Sequence, residues 1–304
     1  MDNPASRVIT VSESVRRLDI YLKEASGMSR PRCRKLIDSG GVLVNGVIQR
    51  KYHRTVRRGD ILEYNRMAKE KNGIKPFAVR LEIVHKENDL IAVNKPAGML
   101  THPTKFGETD TLVNGVKEMY PESSVHAVNR LDRDTSGIVA VALGREKAKE
   151  LSGLIMAGKF RKQYLCLVHG RIVKKGKIEK EISRGGSGAR SRRVVEAGGM
   201  SALTEYEPAE IYKEATLLKI IIVTGRTHQI RAHMKFIKHP CVGDPVYGDT
   251  VLDQGLFKGE APKRQMLHAA SLSFQTSPGR DSTGINAPLP EDMSKALEYL
   301  RERK

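Results

Sequence analysis

The chain is short of cysteine, and what it has is scattered. Cys33, Cys166 and Cys241 lie far apart, are odd in number and form no Cys-x-x-Cys pair. That excludes a disulfide framework and reads as reduced thiols in a cytoplasmic protein. Histidine supplies no metal pattern, because His228 and His233 stand five apart rather than in the i,i+4 pairing of a helical metal site. No metal is therefore expected. No Gly-rich phosphate loop stands between a strand and a helix. No apolar run approaches the ~20 residues of a membrane span. The opening Met-Asp-Asn-Pro-Ala-Ser has no apolar signal core. Acidic residues are the last shortage: 35 Asp and Glu face 53 Lys and Arg, a net charge of +18. This excess calls for a polyanionic partner. Without a membrane-type segment, that partner is expected to be a nucleic acid rather than a bilayer.

A length of 304 residues suits two domains, or one large domain with an appendage, and gives ample core. The most informative stretch runs from Asn129 to Leu143. Charged or amide side chains crowd Asn129 to Asp134, small residues Thr135-Ser136-Gly137 suit a tight turn, and Ile138 to Leu143 reads as a buried strand. A carboxylate at a strand entrance is costly unless paired and hydrogen-bonded. Spacing alone leaves two readings open, a structural salt-bridge knot or a catalytic loop.

Arg130-Leu131-Asp132, with Thr135-Ser136-Gly137, resembles the Arg-Leu-Asp-x-x-Thr-Ser-Gly signature of the RluA-type pseudouridine synthases. These enzymes isomerise uridine within RNA. Asn129 stands where that family usually has His. Thr224-Gly225-Arg226-Thr227-His228-Gln229-Ile230-Arg231 matches the family's other strong signature. Asn94-Lys95-Pro96-Ala97-Gly98, the Lys162-x-Tyr164 spacing, Gly243 to Gly248 and Leu267 to Ala270 extend the match over nearly all of 15–300. The resemblance implies an essential Asp132, an Arg231 that pairs with it, and a Tyr164 set against the target base. On the residues alone, Tyr164 reads more readily as a plain core tyrosine, which only the resemblance lifts, and Lys95 as either a phosphate contact or an exposed turn lysine. Arg130, Arg133 and Arg226 are expected to hold RNA.

The first ten residues read as a flexible lead. Residues 15–65 resemble the small alpha-L RNA-binding domain. The likeness rests on Arg17-Leu18-Asp19, Ser29-Arg30, a hairpin about Asn45-Gly46, and Gly59-Asp60. That resemblance implies phosphate contacts from Arg30, Arg32, Arg34 and Lys35. Residues 1–78 hold 17 Lys and Arg against 8 Asp and Glu, a net +9 and half the charge of the chain. Such contacts are largely sequence-independent.

The expected organisation is an alpha-L domain over 1–65, a linker over 66–78 and a catalytic domain over 79–304. The expected fold is α+β, the pseudouridine-synthase fold, with a mixed, mostly antiparallel sheet flanked by helices. A Gly/Ser/Arg-rich loop over 183–195 either clamps RNA or is merely solvated. The implied activity is isomerisation of uridines in RNA, of the large ribosomal subunit first and of tRNA second, by a monomer without a cofactor. A catalytically silent RNA-binding assembly factor is the alternative. A nuclease would want a metal-binding carboxylate cluster or a His pair, and the sequence offers neither.

Overall fold

The computed structural model describes residues 6–12, 16–65, 74–104, 107–185, 191–258, 260–275 and 283–303. The chain divides into two compact units, Met1–Gly73 and Ile74–Lys304.

The first unit contains β1 (Ser6–Thr10), β2 (Arg16–Arg17), α1 (Leu18–Ser26), α2 (Arg30–Asp38), β3 (Val42–Val44), β4 (Val47–Ile48), β5 (Thr55–Val56) and β6 (Ile61–Asn65). Its sheet runs β1-β6-β3-β4, and β2 pairs with β5 separately. Asn45 and Gly46 both take positive φ, 52° and 76°, which a two-residue turn between twisted strands requires. The expected flexible lead is instead partly a strand. Ser6–Thr10 pairs antiparallel with Ile61–Asn65, because its β-branched Val8, Ile9 and Thr10 suit a sheet edge. Leu18, Leu22, Leu36, Ile37, Val42, Val44, Leu62 and Tyr64 build the core.

The second unit contains β7 (Glu82–Glu87), β8 (Leu90–Lys95), α3 (Leu112–Met119), β9 (Val125–Ala127), β10 (Ser136–Leu143), α4 (Arg145–Met156) and β11 (Phe160–His169). After these come β12 (Gly176–Glu179), β13 (Glu181–Arg184), β14 (Arg192–Val195), β15 (Leu203–Ile211) and β16 (Ala215–Ile222). The chain ends with α5 (Gln229–Phe236), α6 (Thr250–Phe257), β17 (Leu267–Phe274), β18 (Thr283–Asn286) and α7 (Glu291–Arg301). One sheet dominates, in the order β12-β15-β16-β11-β17-β10-β8-β7, with β18 against β17 and β9 against β10. All its ladders are antiparallel except β10 with β17, which places Ser136 beside His268 and Gly137 beside Ala269. The sheet is therefore mixed and mostly antiparallel, as expected. β10 is buried along its whole length, consistent with its apolar run.

Two boundaries differ from expectation. Residues 66–73 of the 66–78 linker lie outside the described residues. Ile74 already packs on the core of the second unit, and Asn114 Nδ2 donates to Lys75 O at 2.7 Å, so 74–78 is not free linker. The ends of the 183–195 loop form a hairpin, Glu181–Arg184 against Arg192–Val195, while 186–190 lie outside the described residues.

Candidate active site and RNA-binding cluster

The polar stretch read at 129–137 is the loop that enters β10, and among the described residues each of its members but Arg130 is held from outside. Asn129 closes its neck: Nδ2 donates to Ile138 O at 3.1 Å and Oδ1 accepts from Ala140 N at 2.8 Å. Thr101 Oγ1 donates to Leu131 O at 3.1 Å and accepts from Leu131 N at 3.2 Å. Arg264 Nη1 donates to Asp134 O at 3.1 Å, and Gln265 Nε2 to Thr135 Oγ1 at 3.1 Å. Ser136 Oγ meets His268 Nδ1 at 2.9 Å. Gly137 has φ 111°, and a Cβ there would stand 2.3 Å from Ala269 O, so backbone and space both demand glycine.

Lys95 contributes to this brace, which corrects its reading as a phosphate contact or an exposed turn. It is fully buried, and its Nζ donates to Pro96 O (2.8 Å), Met99 O (2.8 Å) and Arg133 O (2.9 Å). The only cheap way to bury an ammonium is to satisfy its donors, and three carbonyls do so here. Burial pushes its pKa down to about 7.

At the centre, Arg231 Nη1 donates to Asp132 Oδ2 at 3.0 Å. Arg231 comes from the first turn of α5, whose Ile230 and Met234 face the core and leave it on the flank. Its other edge is gripped by Asp244, with Nε to Oδ2 at 2.6 Å and Nη2 to Oδ1 at 2.7 Å. Asp244 also accepts from the amides of Val246 and Tyr247, each at 2.9 Å. Burial opposes both charges. The pair outweighs it, holding the Asp244 carboxyl below the usual range and moving the Arg231 guanidinium up. The Asp132 side chain keeps 19% exposure, whereas Arg231 keeps 5% and Asp244 none. Among the described residues both ionic contacts of Asp132 fall on Oδ2, from Arg231 and from His228 Nε2 at 3.8 Å. His228 caps α5 in the left-handed conformation, φ 57°, and its Nδ1 lies 3.1 Å from the Tyr247 hydroxyl. Burial lowers the pKa of its imidazole against the pull of Asp132.

Tyr164 projects from β11 into the same region. It is buried, and burial together with the Asp132 charge holds its phenol above the usual value. Arg130 and Arg133 are exposed on the loop. Arg226 is half-buried, with Nε donating to Ser201 O at 3.0 Å. The fold thus gathers Asp132, Arg231 and Tyr164 and leaves Arg130 and Arg133 on the surface. Sequence reasoning assigned no site role to Asp244, His228 or Tyr247. Asp244 and Tyr247 belong to the Gly243-to-Gly248 segment, and His228 lies within the Thr224-to-Arg231 signature and is otherwise considered only as a metal ligand that its spacing does not support.

A second cluster lies within the first unit. The carboxylate of Asp19 is fully buried and accepts from Arg17 Nε (3.1 Å), Arg30 Nε (3.0 Å) and Arg34 Nε (2.7 Å). The arginines themselves stay 38–42% exposed. Burial would raise the Asp19 carboxyl, but the bonds from Arg34, Arg30 and Arg17 outweigh it and hold it low. Arg34 also lies over the Tyr52 ring, 4.7 Å from its centroid. Arg32 is half-buried on α2 and Lys35 is exposed.

Comparison with known proteins decides the family. The model of RNA pseudouridylate synthases matches residues 89–236, which contain Asp132, Tyr164 and Arg231, and the model of the S4 domain matches 16–62. The ribosomal large subunit pseudouridine synthase D of Neisseria meningitidis serogroup A is 34% identical, over 94% of this chain and 79% of that protein. The chain belongs to the RNA pseudouridine synthases. This synthase also resembles the uncharacterized RNA pseudouridine synthase YlyB of Bacillus subtilis, at 32% identity over 97% of this chain and 98% of that one. In fold it is similar to human RNA pseudouridylate synthase domain containing 4, with a TM-score of 0.58 at 23% identity, covering 72% and 92% of the two chains. The synthase is thus an isomerase of uridine in RNA with an S4 RNA-binding domain. Among the described residues no helix is long and apolar enough to cross a membrane.

Proposed function

We propose that this synthase acts on ribosomal RNA of the large subunit and uses Asp132 as its nucleophile. The relatives named for that RNA support the substrate. One observation carries the role of Asp132. Its carboxylate lies at the rim of a buried ion network, with Oδ2 tied to Arg231 at 3.0 Å and Oδ1 without a bonded partner among the described residues.

Pseudouridine forms when the C1′–N1 bond breaks, the base turns, and C1′ bonds to C5. The C5 hydrogen leaves as a proton and N1 gains one. Nothing is oxidised or added overall, so the reaction needs no cofactor. A positioned carboxylate provides nucleophilic catalysis at C6 of the uracil or at C1′. Arg231 orients it, and Asp244 orients Arg231. Tyr164 packs against the uracil. The target base reaches Asp132 only when unpaired or flipped from its stack. Arg130, Arg133 and Arg226 hold the surrounding backbone, and the S4 unit adds Arg30, Arg32, Arg34 and Lys35 on further phosphates.

The test uses large-subunit ribosomal RNA labelled with tritium at uracil C5, since each turnover frees that hydrogen. Asp132→Asn should bind the RNA within about threefold of wild type and lose more than about a thousandfold in turnover. Near-normal tritium release from the variant overturns the nucleophile. Pseudouridine appearing in tRNA, and not in ribosomal RNA, overturns the substrate.

A further inference from the structure

Lys162 is a buried lysine that the reaction scheme above does not use. It stands on β11 two residues before Tyr164, on the same buried face of the strand. Only 7% of it is exposed. Its burial has no compensation of the kind seen at Lys95. Among the described residues no hydrogen bond or ion pair reaches its ammonium, and burial alone accounts for its lowered pKa, with no carboxylate contributing. Neither the catalytic loop nor the Arg231–Asp244 pair engages it.

The tip of Lys162 nevertheless has an outlet. Its Nζ lies 3.5 Å from where a Cβ would stand on Gly225, and Gly225 is itself exposed in the loop before α5. The φ of Gly225 lies outside the left-handed range, so the backbone does not require glycine there. The missing side chain leaves the ammonium uncovered at the rim of the loop that carries Arg226 and His228.

A largely buried lysine whose ammonium meets solvent only at this rim and has no counterion among the described residues is costly. The cost is recovered if the ligand brings the anion. Two residues along a strand amount to about 6.6 Å, a span like that from a uracil ring to the phosphate of its own nucleotide. We propose that Lys162 binds a phosphate flanking the target uridine, so that the substrate supplies the counterion the fold withholds. This rests on the reading of Asp132 and Tyr164 as the uridine site. Lys162 is then a specificity element for an extruded nucleotide, since a uracil base or nucleoside lacks the phosphate.

The test uses the full chain as wild type, Lys162→Met and Lys162→Arg. The methionine variant keeps apolar bulk and removes the charge. The probe is a large-subunit RNA fragment from which wild type releases C5 tritium, made also with a neutral methylphosphonate at either linkage flanking the target uridine. Lys162→Met should bind the unmodified fragment about ten- to a hundredfold more weakly. Its log affinity against log salt should be shallower by about 0.7 to 1. KM should rise with kcat nearly kept, and Lys162→Arg should restore much of the binding. Wild type should lose affinity on one neutral linkage, and Lys162→Met should lose little more on that same linkage. The melting temperature of Lys162→Met should equal or exceed that of wild type, because an unpaired buried charge is gone.

Unchanged affinity and salt slope in Lys162→Met overturn the proposal. So does a full further loss on both neutral linkages, which would mark a merely structural lysine. If wild type releases no tritium from any RNA, the uridine-site reading fails instead.

Discussion

Arg231 and Asp244 form a two-point clamp, Nε and Nη2 of one on the two carboxylate oxygens of the other at 2.6 and 2.7 Å. The clamp leaves Nη1 as the edge that meets Asp132. Arginine suits this task because its planar fork presents both edges at fixed angles. Orientation of Asp132 is thus delegated to Asp244, a carboxylate with no exposed surface.

Asp244→Asn should therefore be severe. It leaves the guanidinium buried without its main counterion, at a cost of about 3–5 kcal/mol. Chemical denaturation reads the loss, and tritium release reads the accompanying fall in turnover. Arg231→Lys should keep a charge and still lose most activity, since one ammonium cannot face two carboxylates in this geometry. A stable, active Asp244→Asn protein would mean that Asp132 is oriented by something else.

Gly137→Ala should fail to fold or lose at least about 3 kcal/mol, because the added methyl would meet Ala269 O at 2.3 Å with φ at 111°. Soluble expression and a melting curve suffice. Asn129→His should be tolerated far better, because an imidazole also offers one donor and one acceptor to Ile138 and Ala140.

His268 predicts a pH dependence. It is fully buried, and burial pushes its pKa down to about 4 from an ordinary 6.5. The folded state therefore prefers the neutral ring while the unfolded chain binds a proton below 6.5. Its contribution is whole above pH 6.5 and is lost progressively as pH falls toward 4. Denaturation midpoints for wild type and His268→Asn should converge between pH 7 and pH 5, with the variant flatter. Parallel curves would contradict the assignment.

Asp19→Asn should weaken RNA binding without touching the loop that carries Asp132. It releases Arg17, Arg30 and Arg34 from a common anchor, and should cost about 2–3 kcal/mol of stability, less than a fully buried pair because the arginines are exposed. Affinity should fall while tritium release at saturating RNA is kept. A loss of kcat alone would contradict this division of labour.

The parts legible in the sequence were those that chemistry packs into short segments. Asp132 and Arg231 each sit in a dense polar motif beside an apolar run, and the Asn45-Gly46 hairpin is coded by its turn. The bracing of the Asp132 loop was not legible. Arg264, Gln265 and His268 act on residues about 130 positions earlier through single side-chain bonds, which leave no periodicity. Lys95 was misread for a related reason. Whether a lysine at the end of a strand is a surface group or a buried strut depends on carbonyls of Met99 and Arg133, whose positions only the fold supplies. The strand at Ser6–Thr10 was missed because its partner lies more than fifty residues on.

The parallel seam between β10 and β17 has a consequence for biosynthesis. Its short register joins Ser136 and Gly137 to His268 and Ala269. Asp132 and Tyr164 precede the bracing residues Arg264, Gln265 and His268 by about a hundred positions or more along the chain. The loop at 129–137 therefore reaches its braced state only after residues 264–269 have been made and have docked beside it.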